Sequence, residues 1–134
     1  MTSTPAQRYL DEMVAKRGYV LDYHKVMAAN DFPVLQAADN LVDAAYLSQR
    51  RLDRRTKELL FVLSLTVLRA DKAHIQSHIR VALGLGVEPQ EILEAIEIAL
   101  PEAGVVAFQH GFDAWREVVN AAALEPSAQV QPQR

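Results

Sequence analysis

Leu59-Leu60-Phe61-Val62-Leu63-Ser64-Leu65-Thr66-Val67-Leu68 decides the fold. The run is apolar on every side, with only Ser64 and Thr66 to relieve it, and it is too short to span a bilayer. It therefore reads as a core helix, opened by Asp53 as N-cap and continuing to about Arg69. A helix with no polar face must be covered all round. In so small a chain that cover calls for a second subunit, so a homo-oligomer is expected.

Outward from this helix, the punctuation is helical throughout. Before it, Pro5 sits in the first turn of a helix that starts after Thr4 and stops near Gly18. A second helix runs from about Val20 to Asn30. A third starts at Asp31-Phe32-Pro33 and carries Leu35, Ala38, Leu41, Val42 and Ala45 as its apolar face. After it, a fifth helix spans about Asp71 to Leu83, ended by Gly84 and Gly86. Pro89 opens a sixth with Ile92, Leu93, Ile96 and Leu100 as its stripe, and Pro101 or Gly104 breaks the chain before a last helix over about Val105 to Ala123. No alternating strand pattern occurs. The expectation is an all-α fold of six to seven helices, one domain over residues 1–124, with a disordered Pro-, Gln- and Ser-containing tail over 125–134.

Composition removes several functions. The chain has 134 residues, half of them hydrophobic, and a net charge of −3. No basic patch suggests a nucleic-acid partner, and no membrane association is expected. Met1-Thr2-Ser3-Thr4-Pro5 lacks the basic and apolar regions of a signal peptide, which makes the cytoplasm the expected location. There are no cysteines, so disulfides, thiolate nucleophiles and dithiol redox cycles are excluded.

Chemistry must therefore come from histidines and carboxylates. The four histidines are His24, His74, His78 and His110. Asp71, His74 and His78 fall at helical spacing on one face of the fifth helix. The core stripe of that helix is Ile75, Ile79, Ala82 and Leu83, which puts Asp71 and His78 on its flank and His74 further out. His78 is thus expected half-buried, facing a cavity or interface. The plain alternatives are a core-edge histidine for His78, an N-cap for Asp71 and a solvated or interface side chain for His74. Glu58, just before the apolar run, is either a surface partner of Arg54 and Arg55 or a carboxyl at the edge of an apolar pocket, usable for proton transfer. His110 belongs with Phe108, Phe112 and Trp115, as core packing or as the polar group of a pocket wall. His74 and His78 at i, i+4 could also share a metal ion, but no third ligand is evident and Ile75 stands where zinc helices carry Glu.

Four pieces in order carry a family resemblance: Asp53-Arg54-Arg55-Thr56-Lys57-Glu58-Leu59, then His78 through Val87, then Glu91-Ile92-Leu93-Glu94, then Ala103-Gly104-Val105-Val106-Ala107. Over Leu52 to Trp115 the chain resembles the carboxymuconolactone decarboxylase family, which includes the alkylhydroperoxidase D-like proteins. The resemblance implies an all-α alkylhydroperoxidase D-like fold and a homo-oligomer, a trimer or hexamer. It maps the family histidine onto His78 and the helix-start glutamate onto Glu58. The peroxidase branch carries Cys-x-x-Cys where this chain has Asp71 and His74, so thiol peroxidase activity does not carry over. What the resemblance implies instead is a cofactor-free lyase on a small-molecule carboxylate or lactone, 4-carboxymuconolactone in aromatic catabolism being the type substrate. His78, Glu58 and His74 are the expected catalytic residues, and His110 and Asp71 the expected substrate contacts. The rival readings are a non-catalytic oligomeric protein that binds a small ligand, and a metal-dependent enzyme using His74 and His78.

Overall fold

A computed structural model describes residues 3–123; the expected tail over 125–134 lies outside them. The described residues are all-helical, with no strand among them. The helices are α1 (Pro5–Arg17), α2 (Asp22–Asn30), α3 (Phe32–Val42) running into a π-helical turn (Asp43–Leu47), α4 (Arg54–Val67), α5 (Lys72–Gly84), α6 (Pro89–Glu97), α7 (Ala99–Ala103) and α8 (Val105–Ala123). They pack as two compact units, one up to Lys57 and one from Glu58 onward, so that α4 starts in the first and continues in the second.

The first unit is organised by buried polar groups. Thr4 caps α1 through its hydroxyl, which accepts from the Gln7 N–H at 3.0 Å. Arg17 at the end of α1 is 4% exposed and forms an ion pair with Asp39 on α3. Asp39 also accepts from the Tyr9 hydroxyl at 2.7 Å. Here the expected apolar face of the third helix is wrong. Leu35 is buried, but Ala38 and Ala45 are exposed and Leu41 is 72% exposed. The inward face runs through Leu35, Asp39 and Tyr46 instead, at i, i+4 and i+11, because the charge of Asp39 is neutralised by a residue of α1. The carbonyls at the end of that turn are taken by Lys57, whose Nζ donates to the oxygens of Ala45, Tyr46 and Ser48 at 3.1, 3.2 and 3.3 Å.

The second unit holds the apolar core: Val62 and Leu65 of α4, Ile75, Ile79 and Ala82 of α5, Ile92 and Ile96 of α6, and Ala114 and Val118 of α8, joined by Val87. Of the stripes read from the sequence, α5 and α6 bury Ile75, Ile79, Ala82, Ile92 and Ile96, while Leu83 and Leu93 are half-buried. Leu100 is 40% exposed and Ala99 is fully buried in its place, at the i, i+4, i+7 spacing that starts with Ile92 and Ile96. α6 opens on a capping box in which the Glu88 N–H donates to Oε1 of Glu91 at 2.9 Å. α8 closes over the rest. It crosses α4 where Gly111 meets Thr66, and is tied to α5 by Lys72 and Glu117 at 2.6 Å and to α6 by the Trp115 indole N–H donating to the Pro89 carbonyl at 2.9 Å.

Two helices of this unit end in the same hydrogen-bonded motif with different residues. At the end of α5 the N–H of Gly86 reaches the Leu83 carbonyl and that of Val87 reaches Ala82, with Gly86 left-handed at φ 91°. At the end of α4 the N–H of Arg69 reaches Thr66 and that of Ala70 reaches Leu65, and the left-handed residue, at φ 58°, is Arg69.

Candidate functional site

α4 and α5 bring Glu58 and His78 together. Oε1 of Glu58 lies 2.7 Å from Nδ1 of His78, and both residues are 0% exposed. Glu58 is therefore not at the surface, where the ion-pair alternative put it. Nor is His78 half-buried as expected. Phe61, one helical turn after Glu58, lies flat on the imidazole, with ring centres 4.4 Å apart and planes 7° from parallel. A residue hidden in the apolar run thus forms the wall of the polar site, and its only sequence signal is the three-residue spacing from Glu58.

An ionised carboxylate at this distance accepts the Nδ1–H, which fixes the ring orientation and leaves Nε2 as the basic nitrogen. Nε2 is sealed from solvent as well. The pair is thus an oriented imidazole and carboxylate in an apolar surround, an arrangement suited to holding and releasing a proton.

His74 stands beside it, its ring centre 5.5 Å from that of His78 and its plane tilted by 37°. It is half-buried. Burial first, and then the neighbouring His78, hold the His74 pKa below the usual histidine value, with Asp71 opposing. His74 is thus a half-buried imidazole at the edge of the site and not a fully solvated one.

Asp71 occupies the N-cap position of α5, as the plain alternative had it, but its side chain makes no capping hydrogen bond. Asp71 lines an open cavity of about 410 Å³. His110 lines the same cavity. The expected grouping of His110 with the aromatic residues is corrected: Phe108, Phe112 and Trp115 stack among themselves, while His110, two residues from Phe108 and from Phe112, is turned away and exposed. His24 lies in the first unit, buried, with its Nδ1 accepting from the Leu21 N–H at 2.9 Å, a helix-start contact. Among the described residues no three His, Asp or Glu side chains are grouped to hold a metal ion, so the two-histidine metal site lacks its third ligand. No described helix is long and apolar enough to cross a membrane.

Comparison with known families gives one match: the model described as carboxymuconolactone decarboxylase family covers residues 33–117, starting earlier than the motifs at Leu52. Comparison with curated proteins and with solved structures gives no match.

Proposed function

The chain belongs to the carboxymuconolactone decarboxylase family, and on that premise we propose that it is a cofactor-free lyase that removes CO2 from a small carboxylate or lactone. The observation that carries the reading is the buried contact of 2.7 Å between His78 and Glu58. In such a reaction the bond to the carboxyl carbon breaks, CO2 leaves, and the electron pair passes into a neighbouring carbonyl of the substrate as an enolate. A proton delivered to carbon then completes the product. The substrate carbonyl is the electron sink, so the protein need supply only the proton and the polar surround. His78 is the acid/base in this reading, Glu58 orients it, and His74, the more accessible imidazole, relays protons to the outside. Because the pair is enclosed, turnover requires a side-chain movement at Phe61 or His74.

The reading includes a homo-oligomer, a trimer or hexamer. Support comes from two large apolar side chains, Leu60 on α4 and Leu68 just past its end, which are 47% and 74% exposed in the single chain.

One observation favours a second reading. The complete enclosure of His78 is also what a structural hydrogen bond inside a ligand-binding, non-catalytic protein would show. Incubation with 4-carboxymuconolactone, followed by loss of its absorbance, separates the two. Turnover by the wild type that disappears in His78→Gln supports the lyase. Turnover undiminished in His78→Gln overturns the assignment of His78, and no turnover by either removes that substrate and moves the weight to the binding reading.

A further inference from the structure

Several arginines are candidates to hold a substrate carboxylate, and the sequence does not choose among them. The structure singles out Arg69. It sits in the cavity wall with Asp71, Lys72, Gln109, His110 and Asp113, between the end of α4 and the start of α5, facing the first turns of α8. The volume of about 410 Å³ is that of a small-molecule site.

The other charges of the wall are largely spoken for. Lys72 is joined to Glu117 at 2.6 Å and Asp113 to Arg116 at 3.1 Å. Among the described residues, no hydrogen bond or ion pair engages the guanidinium of Arg69, and Asp71 withholds its carboxylate from capping α5. What remains for a ligand is one planar cation, one carboxylate acceptor and the His110 imidazole. Arg69 is also the one non-glycine residue of positive φ among those described. The equivalent position at the end of α5 is Gly86, the residue that geometry favours. A long charged side chain at a position where glycine fits better is a local cost, and such costs gather where a side chain has work to do.

We propose that this cavity takes the carboxylate of a small organic acid, with Arg69 as its anchor and with Asp71 and His110 contacting the remainder of the ligand. The inference rests on the lyase reading for the meaning of the bound acid, since Asp71 lies one helical turn ahead of His74 on α5. The chemistry follows from the fork of a guanidinium, which pairs with both oxygens of a carboxylate. Asp71, an acceptor beside it, favours an acid that also carries a hydroxyl donor and disfavours a second carboxylate at that end.

The test uses the whole protein, with lactate as the hydroxy-carboxylate probe and sodium chloride at matched ionic strength, followed by NMR at the Lys72 and Ala73 amides and the His110 ring. Saturable shifts are expected in the wild type. Arg69→Gly, which suits the left-handed backbone and keeps the fold, should weaken binding by about tenfold or more. Arg69→Lys should fall between. Absence of saturable lactate binding in the wild type, or binding undiminished in Arg69→Gly, overturns the proposal. So does inorganic phosphate displacing lactate at equal affinity, since the site would then hold any anion. His78→Gln should bind lactate as the wild type does. A protein that binds lactate through Arg69 but never turns over a substrate therefore sinks the lyase reading alone. Turnover without Arg69-dependent binding sinks the anchor alone.

Discussion

The carboxylate of Glu58 and the imidazole of His78 meet at 2.7 Å with neither residue exposed to solvent. Their contact helps to replace the water each has lost, for a polar group buried away from water is stable only with a partner. Removing the carboxylate takes a buried partner from the His78 imidazole, so Glu58→Ala should cost about 3 kcal/mol of stability. Glu58→Gln keeps an oxygen that can accept the Nδ1–H and should cost only about 1 kcal/mol. Urea denaturation of both variants measures the difference, and equal loss in the two would mean that shape, not the hydrogen bond, holds the site. Turnover responds differently, because an amide orients the ring but cannot stabilise imidazolium. Activity in Glu58→Gln should therefore fall at least as far as in variants that only loosen the fold, about a hundredfold.

His74 supplies a pH dependence whose sign follows from its environment. Its pKa in the folded chain is held below the usual value, chiefly by burial. The unfolded chain, with an ordinary pKa of about 6.5, therefore binds a proton before the folded chain does. Stability from this group is present above that value and declines as the pH falls through it toward the folded pKa. Thermal unfolding at about pH 7.5 and pH 5.5 should show a smaller acid-induced drop in His74→Gln than in the wild type. An identical drop in the two proteins would remove His74 as a source of the acid sensitivity.

Arg69 gives a prediction of the opposite kind, a substitution that strengthens the protein. The left-handed backbone at φ 58° disfavours any side chain with a Cβ by about 1–2 kcal/mol. Part of the gain from glycine is lost to the greater freedom of the unfolded chain. Arg69→Gly should therefore raise stability by about 1 kcal/mol in denaturant titration. Loss of stability instead would mean that the arginine side chain contributes packing or charge interactions larger than the backbone strain.

How much of this was legible in the sequence depends on the range of the interaction. Helix starts and stops are local, and Thr4, Pro5, Gly18, Asp53, Pro89 and Gly104 marked them within a residue or two of where the helices begin and end. The pairing of Glu58 with His78 was suggested by the order of the motifs, but not its depth, since Phe61 reads as one more apolar residue in a core helix. The inward face of α3 was misread because Asp39 is buried only by virtue of Arg17, on another helix, and no pattern within α3 encodes that. The conformation of Arg69 was likewise invisible, since arginine is a poor guess for a left-handed position.

The crossing of α4 and α8 is set by a side chain that is missing. Gly111 is buried on α8, and a Cβ added there would run into Oγ1 of Thr66 and come within 2.8 Å of its Cγ2 and 3.0 Å of Cγ2 of Ile96. Thr66 cannot easily give way, being fully buried with its hydroxyl bonded to the Val62 carbonyl at 2.8 Å. Gly111→Ala should therefore destabilise by about 1–3 kcal/mol, although alanine is the better helix former. Thr66→Ala removes both of the nearest obstructing atoms at the cost of a hydroxyl whose bond lies within its own helix. The double variant should then be more stable than Gly111→Ala alone, a coupling between neighbours that a double-mutant cycle in urea reads directly. Simple additivity of the two substitutions would place the strain elsewhere, at Ile96, and would show that Thr66 is not what holds the two helices at their distance.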